Sequence, residues 1–298
     1  MRIVVVGAGG QLGAAVVHEC RTATPAHDVV ALTRSDLDLA DDAAVAAAIK
    51  LLRPDAIVNA AAYNDVDGAE NHPVDALTVN AFIVRALANA AERAGAALVH
   101  YGTDFVFDGT ATTPYSEEHR PSPRSVYAAS KMLGEWFALD APRAYVLRVE
   151  SLFGSLPGGP PPRGTIPTIV NTLVAGGSPR VFEDRIVSPT YIPDAARATR
   201  ILLESRPATG IYHCVNSGFC TWLEFARELT RLLNIEPRLT IVKMGDVTLR
   251  AQRPRFCALS NEKLRQAGID MPTWENALAR YVATMSGTQR SPRPQSKT

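Results

Sequence analysis

The chain has 298 residues, 46% of them hydrophobic, enough to bury one large core or two that share an interface. Its 31 Lys and Arg nearly balance 30 Asp and Glu, and without a long basic block it lacks the footprint of a nucleic-acid binder; a small-molecule ligand fits better. No run approaches the ~20 apolar residues of a bilayer span, and the opening MRIVVVGAGG enters strand-like sequence without a signal-peptide cleavage pattern, so a cytoplasmic protein is expected.

Cys20, Cys214, Cys220 and Cys257 lack the C-x2-C spacing of zinc or redox sites and read as buried thiols. The six histidines form no HExxH pair, so no catalytic metal is expected.

The first run, RIVVVG, is followed at once by Gly7, Gly10 and Gly13 at three-residue intervals, at the start of a predicted helix. In that context the first glycine allows a tight turn, the second lets backbone N–H groups approach a pyrophosphate, and the third permits close helix–strand packing. Gln11 and Leu12 stand within the same turn. Dinucleotide binding is the expectation.

The second run, VVALT, leads into RSDLDLAD, where an acidic residue is usual for NAD and where this chain has Thr33 and Arg34. A hydroxyl and a cation suit a 2′-phosphate, which favours NADPH with NADH as the alternative. Arg34 also reads as an ordinary solvated arginine. Asp38 and Leu39 are spaced for contacts near the adenine.

DDAAVAAAIKLL (41–52) predicts a crossover helix, and DAIVNA, ALVHYG and AYVLRV predict three further strands. Fully apolar strands alternating with helices imply an α/β fold: a Rossmann-like, doubly wound parallel sheet covered on both faces. Between the last two runs, YAASK sets Tyr127 and Lys131 four residues apart on one predicted helix face, close enough for the ammonium to favour ionisation of the phenol.

After residue 153 the character changes. GSLPGGPPPRG (154–164) reads as a loop, followed by a helix over 193–205, a strand over 211–215, a helix over 221–233 and a strand over 239–244. Residues 1–153 are therefore expected to form the dinucleotide-binding domain, with part of the later chain returning to it. Residues 154–285 are expected to form mainly a smaller substrate-binding lobe, and 286–298 a disordered tail.

With GAGGQLG, PDAIVNAAAYNDVDGAE, HYGTDFVFDG and YAASK in order, continuing through LRVESLFG, DRIVSPTYIPD and AQRPRFCALSNEKL, the chain resembles the extended short-chain dehydrogenases, most closely the dTDP-4-dehydrorhamnose reductases. The resemblance implies Thr103, Tyr127 and Lys131 as the catalytic set, with Asn80 a weaker fourth. It implies Ala62 and Tyr63 at the cofactor, and Lys131 holding its nicotinamide ribose. Tyr101 and Asp104 flank Thr103 as pocket residues, and Asp104 either meets substrate hydroxyls or caps a turn.

Where related dehydratases carry an Asp-Glu pair after the catalytic threonine, this chain has Asp104 and Phe105, which counts against dehydration. Where the reductases carry Arg-Thr-Ser-Trp, it has Arg148, Val149, Glu150 and Ser151, so an aromatic expected against the sugar is absent. Ser188, Pro189 and Thr190 match the family's substrate-side loop. Arg253 is either a cation for a diphosphate or a surface residue.

The implied activity is reduction of a nucleotide-linked 4-keto-6-deoxyhexose, with dTDP-4-dehydrorhamnose the leading substrate. Another keto-sugar reductase or epimerase remains open, as does a non-catalytic NADP-binding regulatory subunit, because a methionine adenosyltransferase subunit also resembles these reductases. A homodimer is compatible with the sequence.

Overall fold

The five apolar runs become the five strands from which the sheet is laid out. In the computed structural model, which describes residues 1–156 and 158–288, they are β1 (Arg2–Val6), β2 (Asp28–Leu32), β3 (Ala56–Asn59), β4 (Ala97–Thr103) and β5 (Ala144–Val149). A sixth strand, Gly210–His213, pairs with β5, and the order across the sheet is Gly210–His213, β5, β4, β3, β1, β2, parallel throughout. Because the chain leaves β1 first to one side and then to the other, a crevice opens at the carboxyl ends of β1 and β3.

Side chains of successive strand residues point to opposite faces, and both faces here are covered. Ile3, Val5, Val58 and Leu147 pack with helix α1 (Gln11–Thr22) and the helix Ile192–Ser205, while Val4, Val6, Ile57 and Val146 pack with α2 (Asp42–Leu52) and the helix Ile83–Ala94. The crossover helix α2 starts where Asp41 accepts hydrogen bonds from the N–H groups of Ala43 and Ala44 at 2.9 Å. The helical stretch Pro73–Ala94 has the length and composition to cross a membrane. Its Val84, Leu87 and Ala91 are nevertheless buried in the core under the sheet.

Two segments expected in the smaller lobe lie elsewhere. The helix Ile192–Ser205 packs on α1, and the strand expected over 211–215 is the sheet's sixth. A separate core under the lobe joins Phe153, Ile169, Trp222, Phe225, Trp274 and Leu278. Its helix Trp222–Leu233 opens with a capping box between Thr221 and Glu224. The final helix runs from Trp274 through Thr288, past the expected start of the tail at 286; residues 289–298, also expected to be disordered, lie outside the described residues. The four cysteines are free and buried.

Candidate active site

Gly7 adopts φ +75°, and a Cβ there would stand 2.5 Å from the Ala61 nitrogen. A Cβ at Gly13 would overlap the Gly7 carbonyl oxygen, so this glycine lets α1 lie against the turn. The Gly10 N–H donates to the Gly7 carbonyl at 3.0 Å. Gly10 then heads α1, with no side-chain cap and no acidic residue in the first turn. An uncapped helix N-terminus of this kind presents backbone donors and the positive end of the helix dipole to an anion.

From this turn runs a two-part trough. One part, about 430 Å³, is lined by Gly7, Thr33, Arg34, Asp38 and Leu39 among others. The other, about 820 Å³, is lined by Gln11, Leu12, Tyr101, Thr103, Asp104, Tyr127, Lys131 and Ser151 among others. Gly9, Gly10, Ala60, Ala61, Ala62 and Asn64 border both, so the two parts meet beside the glycine turn. Arg34 is exposed and has no ion-pair partner among the described residues. The Thr33 hydroxyl, expected to help with a 2′-phosphate, lies instead 2.6 Å from an Asp36 carboxylate oxygen.

At the far end of the trough, the helix Val126–Leu139 begins at Ser125, whose hydroxyl accepts from the Ala128 N–H at 3.2 Å. Tyr127 and Lys131 therefore rise on one face of its first turns, opposite Thr103 at the end of β4. The Lys131 ammonium donates to the Tyr101 carbonyl at 2.5 Å. Burial pushes Lys131 down to about 8, opposed by the Glu135 carboxylate. Burial, and then the Asp104 carboxylate, push the Tyr127 phenol up, against a lowering from hydrogen bonding with Thr103. The expected lowering by Lys131 is not seen: burial and Asp104 dominate, and the ammonium is turned to the Tyr101 carbonyl.

Other expected residues divide. The Tyr101 hydroxyl lies 2.6 Å from the Thr199 hydroxyl, and Tyr101 still lines the trough. Ser151 adopts φ +44°, a conformation uncommon outside glycine, and this local strain stands at the trough wall. Asn80 sits in a π-helical turn, Thr78–Phe82, where it accepts from the Tyr63 N–H at 2.8 Å and donates to the Tyr63 carbonyl at 3.1 Å and the Ser130 hydroxyl at 3.0 Å. It holds the loop after β3 against the helix Val126–Leu139 and does not reach the trough. Tyr63 packs with Tyr127 and Phe105 instead of lining the trough.

Arg253 is not brought to the trough. It makes a two-pronged pair with Asp67 at 3.1 and 2.7 Å, which commits one donor of each terminal nitrogen away from the trough. Ser188 is fully buried and donates its N–H to Glu150 at 2.6 Å, tying the β5 end to the lobe.

Motif spacing did not reveal what Gln11, Arg185 and Glu150 touch. The Gln11 amide donates to the Gly154 carbonyl at 3.4 Å and accepts from the Arg163 N–H at 3.1 Å, fastening both ends of the Pro/Gly loop to the glycine turn. Arg185 and Glu150 are buried beside Asp104. The second carboxylate lacking next to Asp104 in sequence is therefore supplied in space by the end of β5. Glu150 does not line the trough, so no dehydratase-like pair faces it.

Comparison with known proteins agrees with this geometry over nearly the whole chain. The RmlD substrate binding domain matches residues 1–286. The spore coat polysaccharide biosynthesis protein SpsK of Bacillus subtilis is 34% identical over 286 residues, covering 96% of this chain and 98% of that protein. The dTDP-4-dehydrorhamnose reductase of Streptomyces griseus is 34% identical over 307 residues, covering 98% and 97%. The crystal structure of the Bacillus anthracis dTDP-4-dehydrorhamnose reductase in complex with NADP superposes with TM-score 0.88 at 30% identity, covering 95% of this chain and 99% of that one. The chain belongs to the RmlD substrate-binding-domain family and is an extended short-chain dehydrogenase/reductase that resembles the dTDP-4-dehydrorhamnose reductases.

Proposed function

We propose that the protein is an NADPH-preferring reductase of a dTDP-linked 4-keto-6-deoxyhexose, with dTDP-4-dehydrorhamnose the leading substrate and Tyr127 the proton donor. The observation that carries this reading is the single trough joining a glycine-turned helix N-terminus and Arg34 at one end to Thr103, Tyr127 and Lys131 at the other. The residues fit a dinucleotide: Gly9 and Gly10, which border both parts of the trough, carry no Cβ, and α1 offers uncapped N–H groups there. Gly10, Gln11 and Leu12 would hold the pyrophosphate, Asp38, Leu39 and Ala62 the adenosine half, and Tyr101 and Lys131 the nicotinamide half. Support also comes from the reductase names of the relatives and the NADP in the Bacillus anthracis structure.

NADPH, when bound, supplies the hydride that adds to the ketone carbon. Thr103 hydrogen-bonds the ketone oxygen and Tyr127 gives it a proton as charge develops there, so stabilisation is greatest in the transition state. The Lys131 cation lowers the cost of the phenolate left behind. Asp104 and Ser151 border the sugar. Purified protein should consume NADPH on addition of dTDP-4-dehydrorhamnose; no consumption with any dTDP-linked 4-keto-6-deoxyhexose would sink the proposal.

Arg34→Ala should raise the KM for NADPH about tenfold, the equivalent of ~1.4 kcal/mol, and leave that for NADH unchanged. Parallel titrations with the two cofactors check this, and an equal effect on both would remove Arg34 from the 2′-phosphate.

A second expected result concerns Lys131. Its ionised form is disfavoured in the folded state, where its pKa is about 8 against an ordinary 10.5. Below about pH 8 it is charged in both states and folding bears the full cost of burying it. Between pH 8 and 10.5 the unfolded chain binds more protons, so that cost fades as pH rises. Lys131→Met should therefore raise thermal stability at neutral pH, with a gain that shrinks above pH 8, while abolishing turnover. Melting curves across pH test the sign.

A further inference from the structure

We propose that Asp104 and Glu150 form a buried carboxyl pair holding one proton between them, and that the pair returns this proton through the Thr103 hydroxyl to the Tyr127 phenolate after reduction. The proposal rests on Tyr127 being the proton donor. It begins with register: Thr103 of β4 pairs with Val149 of β5, so the next residues, Asp104 and Glu150, emerge side by side. A carboxylate oxygen of each and the Cys257 sulfur all lie within 4.8 Å of one another.

Asp104 is 3% exposed and Glu150 2%, yet Asp104 Oδ2 and Glu150 Oε1 have no hydrogen-bond partner, and neither does Nε of the neighbouring Arg185. Three of the four unpartnered buried side-chain atoms among the described residues therefore meet at this one place. Two like charges with one cation nearby do not balance, whereas a proton held between the carboxyls leaves the pair with a single charge to set against Arg185. A metal ion fits less well, because the Arg185 cation already occupies the surroundings and burial holds the Cys257 thiol well above its usual range, hence protonated.

The other charged or titratable groups around the pair are Arg185, Cys220 and Cys257 from the lobe side and Tyr127 from the helix Val126–Leu139. Burial pushes Asp104 up to about 6, and burial followed by the Asp104 charge pushes Glu150 well above the usual carboxylate range.

The path to the phenol is one hydroxyl long. Thr103 Oγ1 donates to Asp104 Oδ1 at 3.1 Å, and Thr103 and Tyr127 line the same trough. Reduction leaves Tyr127 as a phenolate, a stronger base than either carboxylate, so return of the proton runs downhill. The Glu150 O–H bond breaks as its proton passes to the Asp104 carboxylate, Asp104 gives a proton to Thr103 Oγ1, and the original Thr103 proton moves to the Tyr127 oxygen. The pair, now one proton short, recovers it from water in the trough that Asp104 lines and Glu150 does not. Glu150, pushed further up than Asp104, thus holds the proton of the pair between turnovers and hands it to Asp104 when the phenolate forms.

The experiment has two arms on the full-length chain. Infrared spectroscopy of the protein without ligands should show a protonated-carboxyl band at neutral pH that is lost in Glu150→Gln, whose amide oxygen still accepts from the Ser188 N–H. Absence of the band in the parent overturns the proposal whatever the enzyme reduces. In turnover with NADPH and dTDP-4-dehydrorhamnose, Glu150→Gln should lower kcat about tenfold with KM unchanged, and turn a curved proton inventory in D2O mixtures linear. Unchanged kcat and inventory overturn it too. Tyr127→Phe run beside them separates the two readings: parent-like turnover in that variant defeats the assignment of Tyr127 while the infrared band stands.

Discussion

Replacing Tyr127 by Phe is expected to cut kcat about 10²- to 10⁴-fold, ~3–5 kcal/mol of transition-state stabilisation, with little change in KM for either substrate. The substitution removes one oxygen and leaves the ring, whose edge packs against Phe105 at a centroid distance of 5.5 Å and 89°, so folding should be preserved. It also removes the phenol oxygen beside the Thr103 hydroxyl. That hydroxyl still has the Asp104 carboxylate 3.1 Å away and the Phe105 N–H at 3.3 Å, so it is not left without partners. The prediction separates proton delivery from binding, because uniform binding would appear in KM and a group acting only in the transition state appears in kcat. Steady-state kinetics on the purified variant decides it: a rate within a few fold of the parent means that another group protonates the ketone oxygen.

The environment makes this acid an unusual one. Burial and Asp104 both resist formation of the phenolate, and the buried Lys131 has the cation that can offset them. Lys131 keeps that cation because Glu135 stands one helical turn further on and raises its proton affinity against the burial that lowers it. The dyad seen in YAASK is therefore supported by a third charged residue on the same helix face. Its spacing, Tyr127–Lys131–Glu135, is four and four.

The strands β1 to β5 were legible because each is a short continuous apolar run followed by a turn or helix signal, the pattern of a strand buried on both faces. The sixth was recognised as a strand, but which part of the later chain returns to the sheet was not readable. Nothing in the run Gly210–His213 records that the chain, after forming part of the lobe, returns to pair with β5. The glycine turn and the Tyr–Lys spacing were legible because a local backbone requirement fixes residue type at fixed intervals. Glu150 and Asp104 stand 46 residues apart in sequence, and their meeting depends on β4 and β5 being neighbours in register. The signal existed in the strand order, which local pattern does not reveal. Arg253 shows a different limit: a matching segment left it as either a cation for a diphosphate or a surface arginine, and nothing local foretold the pair with Asp67 that the fold makes.

Removing the carboxylate of Glu135 should destabilise the fold more than any other single side-chain change considered. Arg148 and Glu135 each have 1% side-chain exposure, and their contact is two-pronged, with Nη2 to Oε2 at 2.7 Å and Nε to both oxygens at 3.1 Å. The guanidinium also lies over the Phe107 ring at 5.1 Å and faces His213 Nε2 at 3.5 Å. Burial, and then Arg148 itself, push His213 down to about 3, so this imidazole stays neutral and adds no second cation. Glu135→Ala leaves a charge in the core with no counter-ion, which costs ~3–5 kcal/mol, against total stabilities of roughly 5–15 kcal/mol for a domain. Glu135→Gln should fall between, since it keeps an acceptor and loses the charge. The double replacement Glu135→Leu with Arg148→Met should be less damaging than Glu135→Ala alone, because the two charges leave together. Urea unfolding of the four proteins tests this, and a Glu135→Ala loss below about 1 kcal/mol would mean that water reaches Arg148 and that the pair is not closed off. Glu135→Gln carries a further consequence for the site: without the charge that raises Lys131, the ammonium should release its proton at lower pH, and the alkaline limb of kcat should move down with it.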